Sequence, residues 1–237
     1  MCGIVGIIST QSVTKRILTS LQRLEYRGYD SAGISAIKNR KIERCRAAGK
    51  LSNLERALVK QPISGSIGIG HTRWATHGVP SIENAHPHVS GQVAVVHNGI
   101  IENYQQLKEE LAKDGVKMRT ETDTEVVAHL ANAYLQAGMQ PKEMMEALLS
   151  KIQGAFALLI MMAQHPDTLL AARKYSPLAI AYGDDEMFLG SDALALAHLS
   201  RKISYLEDGD WAIITKDEVK IFNLKNELVE RPSKITE

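Results

Sequence analysis

Cys2-Gly3-Ile4-Val5-Gly6-Ile7-Ile8 follows Met1 at the start of the chain. The run carries no charge and, apart from the thiol, no polar side chain, so it reads as a strand buried on both faces. Its first residue has a second meaning. Removal of Met1 gives Cys2 a free α-amine beside its thiol. A thiolate is a strong nucleophile, and an amine with an ordinary pKa of about 8 accepts a proton near neutrality. One amino acid then holds both the nucleophile and the general base of acyl transfer. While Met1 remains, that nitrogen is an amide and not a base. The plain alternative is a cysteine that fills a buried strand as a small apolar residue.

Outward from this strand, short strands and amphipathic helices are interspersed without a linker, an internal repeat or a low-complexity segment. Ile17, Leu18, Leu21 and Leu24 have helical spacing within Thr14 to Leu24. Ser31 to Ile37 and Ile42 to Ala47 read as strands around the polar tip Lys38-Asn39-Arg40. Leu51 to Val59 returns to helix, Ser66 to His71 to strand, and Gln92 to His97 is a further strand. Helices follow at 103–113, 123–137 and 141–151. The last third reads as strands at 155–162, 168–172, 178–182, 186–190, 203–206, 210–215 and 218–223, interrupted by a short helix at 192–199. Asp184-Asp185, Asp208-Gly209 and Lys216-Asp217 supply turns of hairpin length, which favours antiparallel pairing. The expected class is α+β, with antiparallel strands stacked between helices over residues 1–237 as a single unit.

Composition narrows the function. The chain has 237 residues, enough to bury a substantial core, and its net charge of +1 without a basic run argues against a nucleic-acid partner. Two cysteines, Cys2 and Cys45, make no disulfide framework and fit a cytoplasmic protein. No stretch approaches the length of a membrane span, and the apolar opening is too short for a signal sequence. His71, His77, His86 and His88 match no zinc spacing, so no metal and no cofactor are expected.

Four polar clusters carry candidate chemistry. Arg27-Gly28-Tyr29-Asp30-Ser31-Ala32-Gly33 joins a helix to a strand and reads equally as a glycine turn with a solvated arginine. Gly70-His71-Thr72-Arg73-Trp74-Ala75-Thr76-His77-Gly78 is dense in hydrogen-bonding side chains, and Arg73 can grip a carboxylate as a fork. His97-Asn98-Gly99 is either a hairpin turn or an oxyanion hole made of an amide side chain and a glycine N–H. Thr120-Glu121-Thr122-Asp123-Thr124-Glu125 contains a capping-box pattern, Thr122 with Glu125; Asp123 at a helix start is also suited to an ammonium group.

With Cys2 and these clusters, the chain resembles the glutaminase domains of glucosamine-6-phosphate synthases, within the class II glutamine amidotransferases. The likeness spans essentially the whole chain. It rests on Cys2-Gly3-Ile4-Val5-Gly6, Leu24 to Gly33, His71 to Gly78, Asn84-Ala85-His86-Pro87-His88, His97 to Asn103 and Glu121 to Glu125. The resemblance implies an N-terminal-nucleophile hydrolase fold, a four-layer α-β-β-α sandwich of antiparallel sheets. It implies Cys2 as nucleophile with its freed amine as base, and Asn98 with the Gly99 N–H as oxyanion hole. Arg73 is the counterpart of the residue that binds the α-carboxylate of L-glutamine, and Asp123 of the one that binds its α-ammonium. Thr76 and His77 line that pocket with Gly99, Trp74 stands as a gate to an ammonia channel, and Arg27 and His86 are supporting residues. It further implies C-terminal sugar-isomerase domains, absent from this chain, in a homodimeric enzyme. Tyr26-Arg27-Gly28-Tyr29 with Arg73-Trp74 sets this branch apart from the phosphoribosyl-diphosphate and asparagine-synthetase branches. The rival from another class is a silent glutamine-binding module that never exposes the Cys2 amine.

Overall fold

Strand β1 (Gly3–Ile8) is buried at every position because both of its faces meet apolar layers. Ile4 and Ile8 point into one core cluster and Val5 and Ile7 into another. A computed structural model describes residues 2–74 and 78–235, with Arg27 described for its backbone alone. Around β1 lie β2 (Ser31–Lys38), β3 (Lys41–Ala48), β4 (Ile67–Arg73), β9 (Ala179–Tyr182), β10 (Met187–Gly190), β11 (Lys202–Tyr205) and β15 (Ser233–Ile235). They form one sheet in the order β15-β11-β9-β10-β1-β4-β2-β3. The second sheet holds β5 (His88–Ser90), β6 (Val93–Ile101), β7 (Gly154–Met162), β8 (His165–Lys174), β12 (Trp211–Ile214), β13 (Val219–Phe222) and β14 (Leu228–Val229). Its order is β14-β13-β12-β8-β7-β6-β5, and the paired strands of both sheets run antiparallel throughout the described residues.

Four layers follow from three apolar interfaces. Ile4, Ile69, Val96, Leu159, Leu169 and Leu189 interdigitate between the sheets. Helices α1 (Thr14–Gln22) and α2 (Leu51–Lys60) cover the outer face of the first sheet through Ile17, Leu21, Leu51 and Leu54. Helices α3 (Tyr104–Lys113), α4 (Thr124–Gln136) and α5 (Pro141–Lys151) cover the second through Leu107, Leu111, Val127, Met144 and Leu148. Each such side chain contributes about 1.5–3 kcal/mol when fully removed from water. This is the α-β-β-α sandwich anticipated from the sequence.

Three local readings are corrected. Strand β6 runs past its expected end at His97, through Asn98 and Gly99 to Ile101, in unbroken register with β7, so of the two readings of Asn98-Gly99 the hairpin turn falls away. The segment 192–199 contains only a 3₁₀ turn, Ala193–Ala195. Glu125 forms no capping box with Thr122; its carboxylate instead accepts from the N–H groups of Arg119 and Thr120 and from the Thr120 hydroxyl. Strands β5, β14 and β15 have two or three residues each, too short for a period to show.

Loop 83–87 is laid against β2 and β3 of the first sheet. Arg46 donates to the Glu83 and Ala85 carbonyls at 2.8 Å each, and Arg44 to the Pro87 carbonyl at 3.1 Å. A Cβ at position 33 would overlap the His86 backbone oxygen, so Gly33 is what lets this loop approach. Gly33→Ala is therefore expected to destabilise the chain by about 1–3 kcal/mol, read from urea unfolding, because a backbone carbonyl cannot swing aside. Unchanged stability would show that the loop is not seated on β2 as described. Glu125 generates a second expectation. Burial disfavours its charge, but hydrogen bonds from His129, Arg119 and Thr120 outweigh it and bring the carboxyl from 4.5 to about 2. A lowered folded-state pKa stabilises the fold fully above the unfolded value, and that contribution is lost as pH falls toward the folded one. The stability gap between the native chain and Glu125→Gln should thus be widest at neutral pH and shrink between about pH 4.5 and pH 2. A gap that does not change with pH would contradict this.

Candidate active site

Register places the thiol. Antiparallel pairing sets Gly3 opposite Thr72, so Cys2 falls beside the residues that leave the end of β4. The Trp74 N–H donates to the Cys2 Sγ at 3.1 Å, and the thiol returns a bond to the Trp74 carbonyl at 3.4 Å. On the other side of β1, Ser191 follows β10 and locks Ile4: its hydroxyl accepts from the Ile4 N–H at 3.0 Å, and its own N–H donates to the Ile4 carbonyl at 3.1 Å. Burial pushes the thiol of Cys2 up, and the Trp74 N–H draws it back toward the thiolate.

The second sheet supplies the facing wall. Asn98, on β6, donates from Nδ2 to the Cys2 backbone carbonyl at 3.1 Å, across the gap between the sheets. Gly99 follows with φ of +117°, and a Cβ there would overlap the Ala155 carbonyl of β7. Only glycine holds that backbone without strain. Asp123 stands at the start of α4, 4% exposed, and its Oδ2 accepts from the Ile101 N–H at 2.7 Å. Arg73 is 3% exposed at the end of β4, donating to the Gly78 and Val79 carbonyls at 3.0 and 3.3 Å with Asp30 at 3.7 Å. A buried guanidinium and a buried carboxylate thus border one cavity of about 310 Å³, whose wall also includes Cys2, Trp74, Asn98 and Gly99. That is the size of a small-molecule site.

Seven anticipated residues therefore meet at one cavity: Cys2, Arg73, Trp74, His86, Asn98, Gly99 and Asp123. Trp74 is 53% exposed at the rim, with its indole against Gly28. Thr76 and His77 lie outside the described residues, as does the side chain of Arg27. The cavity also takes in Thr124 and Ser191. The sequence gives Thr124 no role within its Thr120–Glu125 motif, and Ser191 carries no local signal beyond following a strand.

His86 and His97 on the cavity wall, and His71 and His88 beyond it, are all buried. Burial lowers His71 to about 3 and takes His86 and His88 well below the usual imidazole range, so these three rings are neutral. Their nitrogens bind protein: His71 and His86 each other and their neighbours, and His88 the Thr122 hydroxyl at 3.1 Å. Among the described residues, no group of three His, Cys, Asp or Glu side chains has metal-holding geometry. Nor is any described helix long and apolar enough to cross a membrane.

The sequence family described as "Glutamine amidotransferase domain" matches residues 71–198, which includes Arg73, Asn98, Gly99 and Asp123. Glutamine–fructose-6-phosphate aminotransferase (isomerizing) of Zymomonas mobilis is 54% identical over 232 residues, 98% of this chain but 38% of that protein. The Rhizobium meliloti protein of the same name is 55% identical over 236 residues, 100% of this chain and 39% of its own length. The chain thus spans well under half the length of the curated relatives it matches. Among solved structures, glutamine phosphoribosylpyrophosphate amidotransferase of B. subtilis superposes with a TM-score of 0.80 at 28% identity, over 96% of this chain and 50% of that one. With the family match covering Arg73, Asn98 and Asp123, and relatives more than half identical along its length, the chain belongs to the glutamine amidotransferase domain family.

Proposed function

We propose that the chain hydrolyses L-glutamine to glutamate and ammonia through a thioester on Cys2. The observation that carries this reading is the shared cavity. It has a thiol at one wall, an amide donor bonded to the backbone carbonyl of that same cysteine, and a buried cation and a buried anion at its border. Arg73 would take the α-carboxylate and Asp123 the α-ammonium, which favours an amino-acid end that carries both charges over simple amides. Thr76 and His77 would complete that pocket, with Arg27 and His86 in support. Once Met1 is removed, the Cys2 amine accepts the thiol proton and the thiolate attacks the side-chain amide carbon. Asn98 Nδ2 and the Gly99 N–H then carry the oxyanion, each worth on the order of 3 kcal/mol of barrier. The ammonium of Cys2 protonates the amide nitrogen as the C–N bond breaks, ammonia leaves, and water hydrolyses the thioester to glutamate and the free thiol.

The names of the relatives suggest where the ammonia goes. We infer that residues 1–237 act as one glutaminase unit. In a longer protein it would serve sugar-isomerase domains that make glucosamine 6-phosphate from fructose 6-phosphate. Such an enzyme would be a cytoplasmic homodimer, and Trp74, at the cavity rim, would gate the passage of ammonia. The chain by itself would release ammonia to solvent.

Intact mass followed by an ammonia-release assay with L-glutamine on the same sample tests the mechanism. Loss of Met1 together with glutamate formation is expected, and turnover by a chain that keeps Met1 would refute the free-amine base. Cys2→Ala should reduce glutamate release to background while the circular dichroism spectrum is unchanged. Asp123→Asn keeps an acceptor for the Ile101 N–H but loses its charge, so KM for glutamine should rise on the order of 10–100-fold with a smaller change in kcat. An unaltered KM would remove Asp123 from the ammonium site.

A further inference from the structure

The proton positions around Asn98 can be deduced one by one. His71 Nε2 lies 3.0 Å from the His97 backbone carbonyl and 2.9 Å from Asn98 Oδ1. A backbone carbonyl only accepts, so His71 Nε2 carries a proton. That N–H faces the Asn98 amide as well, and only the oxygen end of an amide can receive it. Asn98 Nδ2 is thereby turned the other way, toward Cys2. In the neutral ring, His71 Nδ1 is then a lone pair, and His86 Nδ1, 3.0 Å away, must donate to it. His86 Nε2 is in turn an acceptor, served by the Thr124 hydroxyl at 2.9 Å. The Thr124 oxygen then accepts from His97 Nδ1 at 3.0 Å. One assignment of protons satisfies every bond in the chain, and reversing any one of them sets two donors or two acceptors face to face.

We propose that His71, held in its tautomer by His86 and Thr124, is a positioning residue that fixes the Asn98 amide with its N–H toward the reacting carbonyl. This rests on the reading of Asn98 as an oxyanion donor. A flipped amide would present its own oxygen to the oxyanion and turn a stabilising dipole into a repulsive one. His71 belongs to β4 of the first sheet and bonds β6 of the second, and its ring meets that of His86 edge-on, with centroids 4.1 Å apart and planes at 85°. His71 is fully buried and His86 nearly so, which strengthens these bonds in their low-dielectric surroundings.

Nitrogen-15 NMR of histidine-labelled chain reads the tautomers without reference to activity. His71 is expected as the Nε2–H form and His86 as the Nδ1–H form at neutral pH; a His71 ring protonated at Nδ1 overturns the proposal. A double-mutant cycle reads the consequence. His71→Asn keeps a polar group toward His86 but loses the ε donor, and kcat for glutamine hydrolysis should fall on the order of 10²-fold with KM nearly unchanged. His71→Gln returns a donor at the ε position and should recover most of kcat. In an Asn98→Ala background, His71→Asn should cost nothing further, whereas an equal loss in both backgrounds makes His71 merely structural and overturns the proposal. Asn98→Ala that keeps full kcat would remove the oxyanion reading, and this proposal with it. Loss of activity in Asn98→Ala with an additive His71→Asn effect would overturn the positioning role alone. If His71→Asn does not fold, the tautomers of the native chain still decide.

Discussion

The pairing of β1 between β4 and β10 is the constraint from which the site follows. A central strand gains its stability from burial on both faces, and in β1 alternate residues face the second sheet and the outer helices. A slip of one residue would exchange Ile4 and Ile8 with Val5 and Ile7 between two differently shaped cores, so the register is fixed by packing. Because it is fixed, the residue just before the strand has only one place to be. Cys2 emerges where Trp74 leaves β4, within reach of a backbone N–H that favours the thiolate. The reactive atom is thus located by the densest part of the molecule.

The facing wall uses the same logic with polar groups. Asn98 lies within a strand, and its neighbours β7 and α4 are held by apolar contacts across the second sheet. The aspartate at the start of α4 is anchored by a backbone N–H of β6, so a helix and a strand move together at the cavity. Buried imidazoles join the two sheets behind the site. A charged residue would incur a desolvation penalty of several kcal/mol there, whereas a neutral imidazole offers one donor and one acceptor and fits where neither charge nor apolar packing would serve.

Much of the architecture was legible because its signals are local. Ile17 and Leu21, or Leu107 and Leu111, recur at helical spacing, and the run from Val93 to Val96 is apolar throughout because both faces are covered. Short elements escaped. Three residues in β5 or two in β14 cannot display a period, and these strands exist only because a neighbouring edge is available to pair with. Asn98-Gly99 reads locally as a turn, yet β7 supplies partners that carry the strand past it. Glu125 had the spacing of a capping box, but the loop at Arg119 and Thr120 brought stronger donors to its carboxylate.

The sequence by itself determined the chemistry available: a thiol able to gain a free amine, a forked cation, an amide beside glycine, and an acid opening a helix. It also determined the layers, since the period of apolar residues states which faces need covering. Only the tertiary structure decided that Cys2, Arg73, Asn98 and Asp123 share one cavity, because residues up to 121 positions apart are brought together by strand register and sheet packing, and no local pattern encodes that. The structure alone also decided which way the Asn98 amide faces, for that depends on a backbone carbonyl at His97 and a lone pair on His71 meeting in space.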